Sequence, residues 1–134
     1  MLQLSKKVEY ALIALRHMAM HPVGKVFTAK EIAIEYGIPY ELLAKVLQKL
    51  TRSGIVHSLQ GVKGGYSLGR RPEQVTVSAI IQIVEEERAV IVECYSEGPE
   101  TCSRAETCSL KKPLGKVQQN INDVFDRMTI QEII

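Results

Sequence analysis

Apolar residues recur along most of this chain at the three-to-four-residue spacing of an α-helix, interrupted by one short, strand-like stretch. From about Leu4 to Met20, the positions Leu4, Val8, Ala11, Leu12, Leu15 and Met18 share a face, which predicts an amphipathic helix ended by Val23-Gly24-Lys25. Thr28-Ala29-Lys30-Glu31 has the form of a capping box, with Thr28 as cap and Glu31 reaching back to the cap amide. A short second helix therefore begins there, with Ile32, Ala33 and Tyr36 inward and Gly37 as its stop. Pro39 suits the first turn of a third helix, where its missing N–H would be unpaired anyway. That helix runs to about Ser53, and Gly54 ends it. Leu43, Val46, Leu47 and Leu50 form its buried stripe, leaving Glu41, Lys45, Gln48, Lys49 and Arg52 outside.

A short helix, a glycine turn and a second helix with a basic outer face make a helix-turn-helix. Small helical domains often contain such pairs, so the next segment matters more. Ile55-Val56-His57-Ser58-Leu59 and Tyr66-Ser67-Leu68 read as two strands joined by the glycine-rich Gln60-Gly61-Val62-Lys63-Gly64-Gly65. A hairpin in that position is a wing. Lys63 at its tip and Arg70 and Arg71 at its base are placed to meet phosphates, and the glycines let backbone amides approach a duplex. No Walker pattern or GxGxxG opens a helix here, which argues against a nucleotide loop.

A fourth helix is expected from Val77 to Glu87, with Ile80, Ile81, Ile83 and Val84 inward and Glu85-Glu86-Glu87 as its solvated end. The apolar run Ala89-Val90-Ile91-Val92 leads into a polar segment, about Glu93 to Ser109, that contains Gly98-Pro99. The last long element runs from about Leu110 to Met128. Leu110, Leu114, Val117, Ile121, Val124 and Met128 repeat at spacings of 4, 3, 4, 3 and 4, an a/d heptad seam. Pro113 is tolerable there because it lies in the first turn. Such a seam can pack on its own domain, but a narrow stripe on so small a chain favours a second copy. Thr129 and Glu132 form another capping box for a terminal turn. The expected fold is mainly α with a small β wing. It divides into a winged helix-turn-helix domain over 1–87, a cysteine-bearing sensor segment over 88–109, and a dimerisation helix with C-terminal turn over 110–134.

Composition adds two constraints. The apolar fraction of 46% over 134 residues is that of an ordinary globular chain. No apolar run reaches the ~18 residues of a membrane span and no signal-peptide pattern is present, so no membrane is expected and the cytoplasm is the default location. The net charge of +2 divides unevenly: residues 1–71 carry eleven Lys or Arg against four Glu, and residues 72–134 carry six against eleven acidic groups. A basic half joined to an acidic half is the footprint of a nucleic-acid module attached to something else.

Cys94, Cys102 and Cys108 lie within fifteen residues and are the only cysteines in the chain. An odd count in a reducing compartment argues against a disulfide framework and for a metal, a metal cluster or a reactive thiol. Zinc sites usually show closely spaced CxxC pairs or added histidines, and neither occurs; His17, His21 and His57 all lie in the basic half. No nucleophile–base pair, phosphate loop or paired-carboxylate motif points to an enzyme.

The chain resembles the IscR/NsrR/RirA-type repressors, also called the Rrf-two family, over essentially its whole length. The resemblance is carried by Leu4-Ser5-Lys6-Lys7-Val8-Glu9-Tyr10-Ala11, Lys30-Glu31-Ile32-Ala33, Leu43-Ala44-Lys45-Val46-Leu47-Gln48-Lys49-Leu50, and Gly54-Ile55-Val56. It continues through the wing Gly61-Val62-Lys63-Gly64-Gly65-Tyr66-Ser67-Leu68-Gly69, the three cysteines and the last helix. It implies a homodimer on a pseudo-palindromic double-stranded DNA operator, with an iron–sulfur cluster held by Cys94, Cys102 and Cys108, 4Fe-4S favoured over 2Fe-2S. The cysteine spacing is most similar to that of the RirA-like branch. Such a cluster reports iron supply, oxygen or nitric oxide.

Thiolates match iron as soft ligands, and three of them leave one iron with a weaker or absent partner, which suits a sensor better than an electron carrier. Lys111 stands where one branch of the family has a histidine ligand. Glu9 matches the acidic position some relatives use, which makes Glu9 of the partner chain the candidate fourth ligand. Phosphate contacts are expected from Lys45, Lys49, Arg52, Lys63, Arg70 and Arg71, with Lys6 and Lys7 as further candidates, and base reading from Pro39, Tyr40 and Glu41 through Leu43 and from the wing. Gln60 stands where the family commonly carries Arg, which bears on the wing's groove contact and the operator sequence. The reading is a DNA-binding regulator, a repressor, controlled by the cluster. A metal-free thiol switch is the main alternative, and a cluster carrier or electron-transfer protein is the third.

Overall fold

The computed structural model describes residues 2–91, 107 and 109–134. Cys94, Cys102 and Cys108, and the expectations that rest on their surroundings, lie outside the described residues. The elements in chain order are α1 (Lys6–Ala19), α2 (Ala29–Tyr36), α3 (Tyr40–Arg52), β1 (Val56–Leu59), β2 (Gly65–Leu68), α4 (Val77–Glu85) and α5 (Lys111–Arg127). Short 3-10 turns over Pro72–Gln74 and Ile130–Ile133 complete them.

The local signals act where expected. Ser5 caps α1 by accepting from the Val8 amide, and Thr28 and Glu31 close a reciprocal capping box on α2. Gly37 ends α2 in a left-handed turn; Pro39, expected inside the first turn of α3, instead precedes it by one residue as the non-helical N-cap. Val8, Ala11, Leu15 and Met18 of α1, Ile32 and Ala33 of α2, and Leu43, Val46, Leu47 and Leu50 of α3 meet in one core. Each fully buried aliphatic side chain there contributes roughly 1.5–3 kcal/mol of transfer free energy. The strands pair antiparallel in the register Val56↔Leu68 to Leu59↔Gly65. Phe27 extends the wing towards α2 with two bonds to Tyr66, its N–H donating to Tyr66 O at 2.8 Å and its O accepting from Tyr66 N at 2.7 Å.

Three expectations are corrected. Tyr36 lies at the rim, over a third exposed, with its hydroxyl 2.7 Å from Nδ1 of buried His17, so α1 supplies the polar group that keeps this ring from turning fully inward. The fourth helix ends at Glu85 and not Glu87, because Glu86 takes a left-handed conformation (φ 62°). The acidic trio is not a plain solvated end: Glu85 accepts from the Ser5 hydroxyl at the start of α1, and Glu86 lies 3.5 Å from Lys49 Nζ.

The C-terminal turn docks back on the winged domain. Ile130 is buried in the core and its N–H donates to Val75 O, Val77 N–H donates to Met128 O, and Arg16 Nε donates to Ile133 O. The predicted Thr129–Glu132 capping box is formed. The C-terminal flank of α5 is thereby tied to its own domain.

His17 is enclosed by the rings of His21, Phe27 and Tyr36, with centroids 4.5, 4.7 and 5.4 Å away. Burial, and next the charge of His21, push its imidazole below the ordinary value of 6.5; Lys25 adds to this, while Glu35 and Glu31 oppose it. The unfolded chain therefore binds a proton at His17 more readily, so its contribution to stability is complete above pH 6.5 and declines as the pH falls below that value. Tm is expected to drop as the pH falls below 6.5, and His17→Asn to flatten that slope; an unchanged slope in a pH series of thermal melts would contradict the assignment.

Candidate nucleic-acid interface

The geometry of α3 follows from its amphipathicity. With one stripe sunk in the core, Glu41, Lys45, Gln48 and Arg52, spaced 4, 3 and 4 residues apart, line the opposite side and are all exposed. Tyr40 begins the helix with 55% of its surface free. A polar cleft of about 280 Å³ lies between the starts of α2 and α3 and the wing, lined by Thr28, Lys30, Tyr40, Leu59, Gln60 and Tyr66 among others. The fold thus brings the expected base-reading end of α3 beside Gln60. Pro39 is exposed at the same end, and at the wing tip Val62 stands fully out with Lys63 exposed beside it.

The remaining cations differ in how free they are. Arg70 is exposed and its Nη2 donates to Ser53 O at 3.4 Å, at the C-terminal end of α3. Arg71 stands 3.8 Å from Glu73 with both side chains more than half exposed, an arrangement that constrains it little. Lys49 is different. Its side chain turns to the flank of α3, donates to Val84 O at 2.9 Å and approaches Glu86. It caps the C-terminus of α4 instead of standing on the outer stripe: Glu41, Lys45, Gln48 and Arg52 span about 60° of the helix, and Lys49 lies about 70° from the centre of that arc, on the side where α4 ends.

Glu9 lies on the first turn of α1, with 42% of its side chain exposed, and accepts from Lys6 Nζ at 2.8 Å. That hydrogen bond and the carboxylate charge raise the Lys6 ammonium above its usual range. The chain enters the cysteine segment from Ile91 and leaves it at Leu110.

The heptad seam of α5 splits into two sectors. Leu110, Val117, Val124 and Met128 are 58, 45, 50 and 38% exposed and form an apolar ridge without a partner among the described residues. Leu114 is half-buried, and Ile121 turns with Phe125 into a groove of about 490 Å³ whose walls include Leu4, Val8, Ile81 and Ile91. The best-buried residue of α5 is one the heptad pattern passes over: Gln118, 6% exposed, whose amide bonds to Ala89 O, Ile91 N and Asn122 Oδ1. The spacing Leu114, Gln118, Ile121, Phe125, at 4, 3 and 4, is the signal that would have revealed this second stripe.

Residues 4–134 match the model of the Rrf2 family, described as an iron-dependent transcriptional regulator. The HTH-type transcriptional regulator NsrR of Bacillus licheniformis is 31% identical over 133 residues, covering 99% of this chain and 92% of that protein. The solved structure of T. potens IscR superposes with a TM-score of 0.71 at 27% identity, covering 98% of this chain and 85% of that one. CymR, the global cysteine regulator of B. subtilis, has the same fold, with a TM-score of 0.76 at 24% identity and coverage of 99% and 96%.

Proposed function

The chain belongs to the Rrf2 family of transcriptional regulators, and from that premise we propose that it is a homodimeric repressor whose grip on operator DNA depends on an iron–sulfur cluster at Cys94, Cys102 and Cys108. The observation that carries the DNA half is α3 itself, whose stripe of Leu43, Val46, Leu47 and Leu50 is buried while Glu41, Lys45, Gln48 and Arg52 stand exposed beside a wing. Lys45, Arg52, Lys63, Arg70 and Arg71 meet phosphates, and Tyr40 and Gln60, across one cleft, read bases. The apolar ridge of α5 faces a second copy, which sets the spacing of the two α3 helices along the duplex.

The donor set supports the sensor half. Three thiolates suit iron, and Glu9, outside the core on α1, is accessible to a neighbouring subunit and offers an oxygen as the fourth ligand. When bound, the cluster supplies a site open to attack by oxygen or nitric oxide. The chain's own residues do the rest: the thiolates hold it, and the segment that carries them is continuous with α4 on one side and α5 on the other.

The test is DNA binding to the chain's own upstream region, measured across salt concentrations after anaerobic purification with an absorption spectrum. A coloured protein whose operator affinity changes on cluster loss is expected. A colourless protein whose affinity still responds to thiol oxidation would replace the cluster with the thiol switch, and no operator binding in any state would overturn the reading. In the same titrations Lys45→Met is expected to lower the salt slope by about one unit, and Lys49→Met by clearly less, because its ammonium is engaged at α4.

A further inference from the structure

The chain between α4 and the cysteines is held from two sides. At its root, Lys49 of α3 donates to Val84 O in the last turn of α4, 2.9 Å away, and stands 3.5 Å from Glu86. Glu86 is the one non-glycine residue with a positive φ among the described residues, a conformation that is unfavourable for an L side chain and persists where the surroundings hold it. Three residues further on, α5 takes over. Gln118 Nε2 donates to Ala89 O at 2.8 Å, and its Oε1 accepts from Ile91 N, also at 2.8 Å. These two bonds to alternate residues mimic those a neighbouring strand would make. Gln118 Nε2 also donates to Asn122 Oδ1 at 2.9 Å, which fixes the amide's orientation.

A buried amide is costly unless every polar atom is bonded, so an apolar side chain would pack more cheaply at this position. Gln118 is satisfied only while residues 89–91 stay where they are. Ile91 is three residues from Cys94, and Glu86 touches the helix that carries Lys45 and Arg52.

We propose that Gln118 is a positioning residue that couples the state of the cysteine segment to the DNA-binding face, by fixing residues 89–91 to α5 so that a change at Cys94 is passed through Glu86 and Lys49 to α3. The inference rests on the reading of the cysteines as the sensor. Without the clasp, the run-in to Cys94 absorbs the change locally and α3 receives the same constraint in both states.

The experiment compares operator affinity, by fluorescence anisotropy, for protein reconstituted anaerobically with ferrous iron and sulfide and for protein alkylated with iodoacetamide. In the unmodified sequence the two states are expected to differ by about 5–150-fold, the usual range of such couplings. In Gln118→Met the ratio is expected to fall below about threefold, with affinity of the alkylated form within about twofold of the parent and selective loss of hydrogen-exchange protection at the Ile91 amide. Gln118→Met with the parental ratio overturns the coupling alone; a parent without any ratio overturns the sensor reading and the coupling with it. Asn122→Ala keeps the proposal testable if Gln118→Met fails to fold, since it removes only the brace: its ratio is expected to fall at least about twofold, and an unchanged ratio overturns the proposal.

Discussion

Replacing Val117 and Val124 together with glutamate is expected to turn the protein into a monomer and to weaken its binding to a two-half-site operator by about 100-fold or more. Both side chains lie on the free ridge of α5, 45 and 50% exposed, and neither belongs to the core. Paired across a two-fold axis they would be desolvated, and two carboxylates per chain would then have to enter an apolar seam without partners. The loss on DNA is larger than the loss of any contact with DNA. A dimer binds its second half-site from an effective concentration set by the first, an advantage of roughly 10²–10⁴ that disappears when the copies separate. Sedimentation should report the monomer directly, and anisotropy should show a smaller loss on a single half-site than on the full operator. A double variant that still sediments as a dimer would move the interface elsewhere, the groove beside Ile121 and Phe125 being the next apolar surface in line.

Gly65→Ala is the second large effect, and it acts through the fold. Gly65 opens β2 at φ +152°, and a Cβ added there would lie 2.5 Å from Phe27 O and 2.8 Å from Phe27 C. That carbonyl is committed, since it accepts from Tyr66 N at 2.7 Å and so ties the wing to the chain ahead of α2. Relieving the clash means breaking the bridge, so a loss of roughly 2–4 kcal/mol is expected, a fall in Tm on the order of 10 °C for a domain of this size. Gly61, at φ +105° with nothing within 4 Å of its Cβ position, separates backbone strain from the clash. Gly61→Ala is expected to cost only about 1 kcal/mol. Equal melting temperatures for the two variants would show that the wing yields at Phe27 and carries little of the fold's stability.

The two variants bear on different parts of what the chain does. Gly65→Ala loosens Gln60 and Lys63 against the start of α3 while leaving the ridge of α5 untouched; the glutamate pair leaves the wing in place and removes its two-fold repetition. Operator loss in the first should therefore follow thermal stability, and in the second it should follow the oligomeric state.

Much of this molecule is legible in its residues alone, because the signals concerned are local. Capping at Thr28–Glu31 and Thr129–Glu132, the stop at Gly37, the hairpin around Gly61–Gly65 and the apolar stripes of α1 and α3 involve residues within a turn or two of one another. Their geometry is dictated by backbone periodicity and by which amides lack partners, and both act before any tertiary contact forms. The resemblance to iron-dependent regulators is legible for the same reason, since it rests on contiguous stretches and three close cysteines.

How each surface is shared depends on contacts between distant elements. Periodicity marks an apolar sector on α5 but does not say which edge meets its own domain. The docked tail at Ile130 and the clasp of Gln118 on Ala89 and Ile91 turn the Ile121–Phe125 side inward and leave Val117 and Val124 out. Lys49 reads as one more cation on a basic helix until α4 ends beside it and offers Val84 O. Glu86 ends α4 two residues early, and its carboxylate meets a lysine 37 positions back in the chain. Each of these rests on contacts between residues far apart in sequence, whose free energy depends on burial and partner geometry that no local pattern encodes.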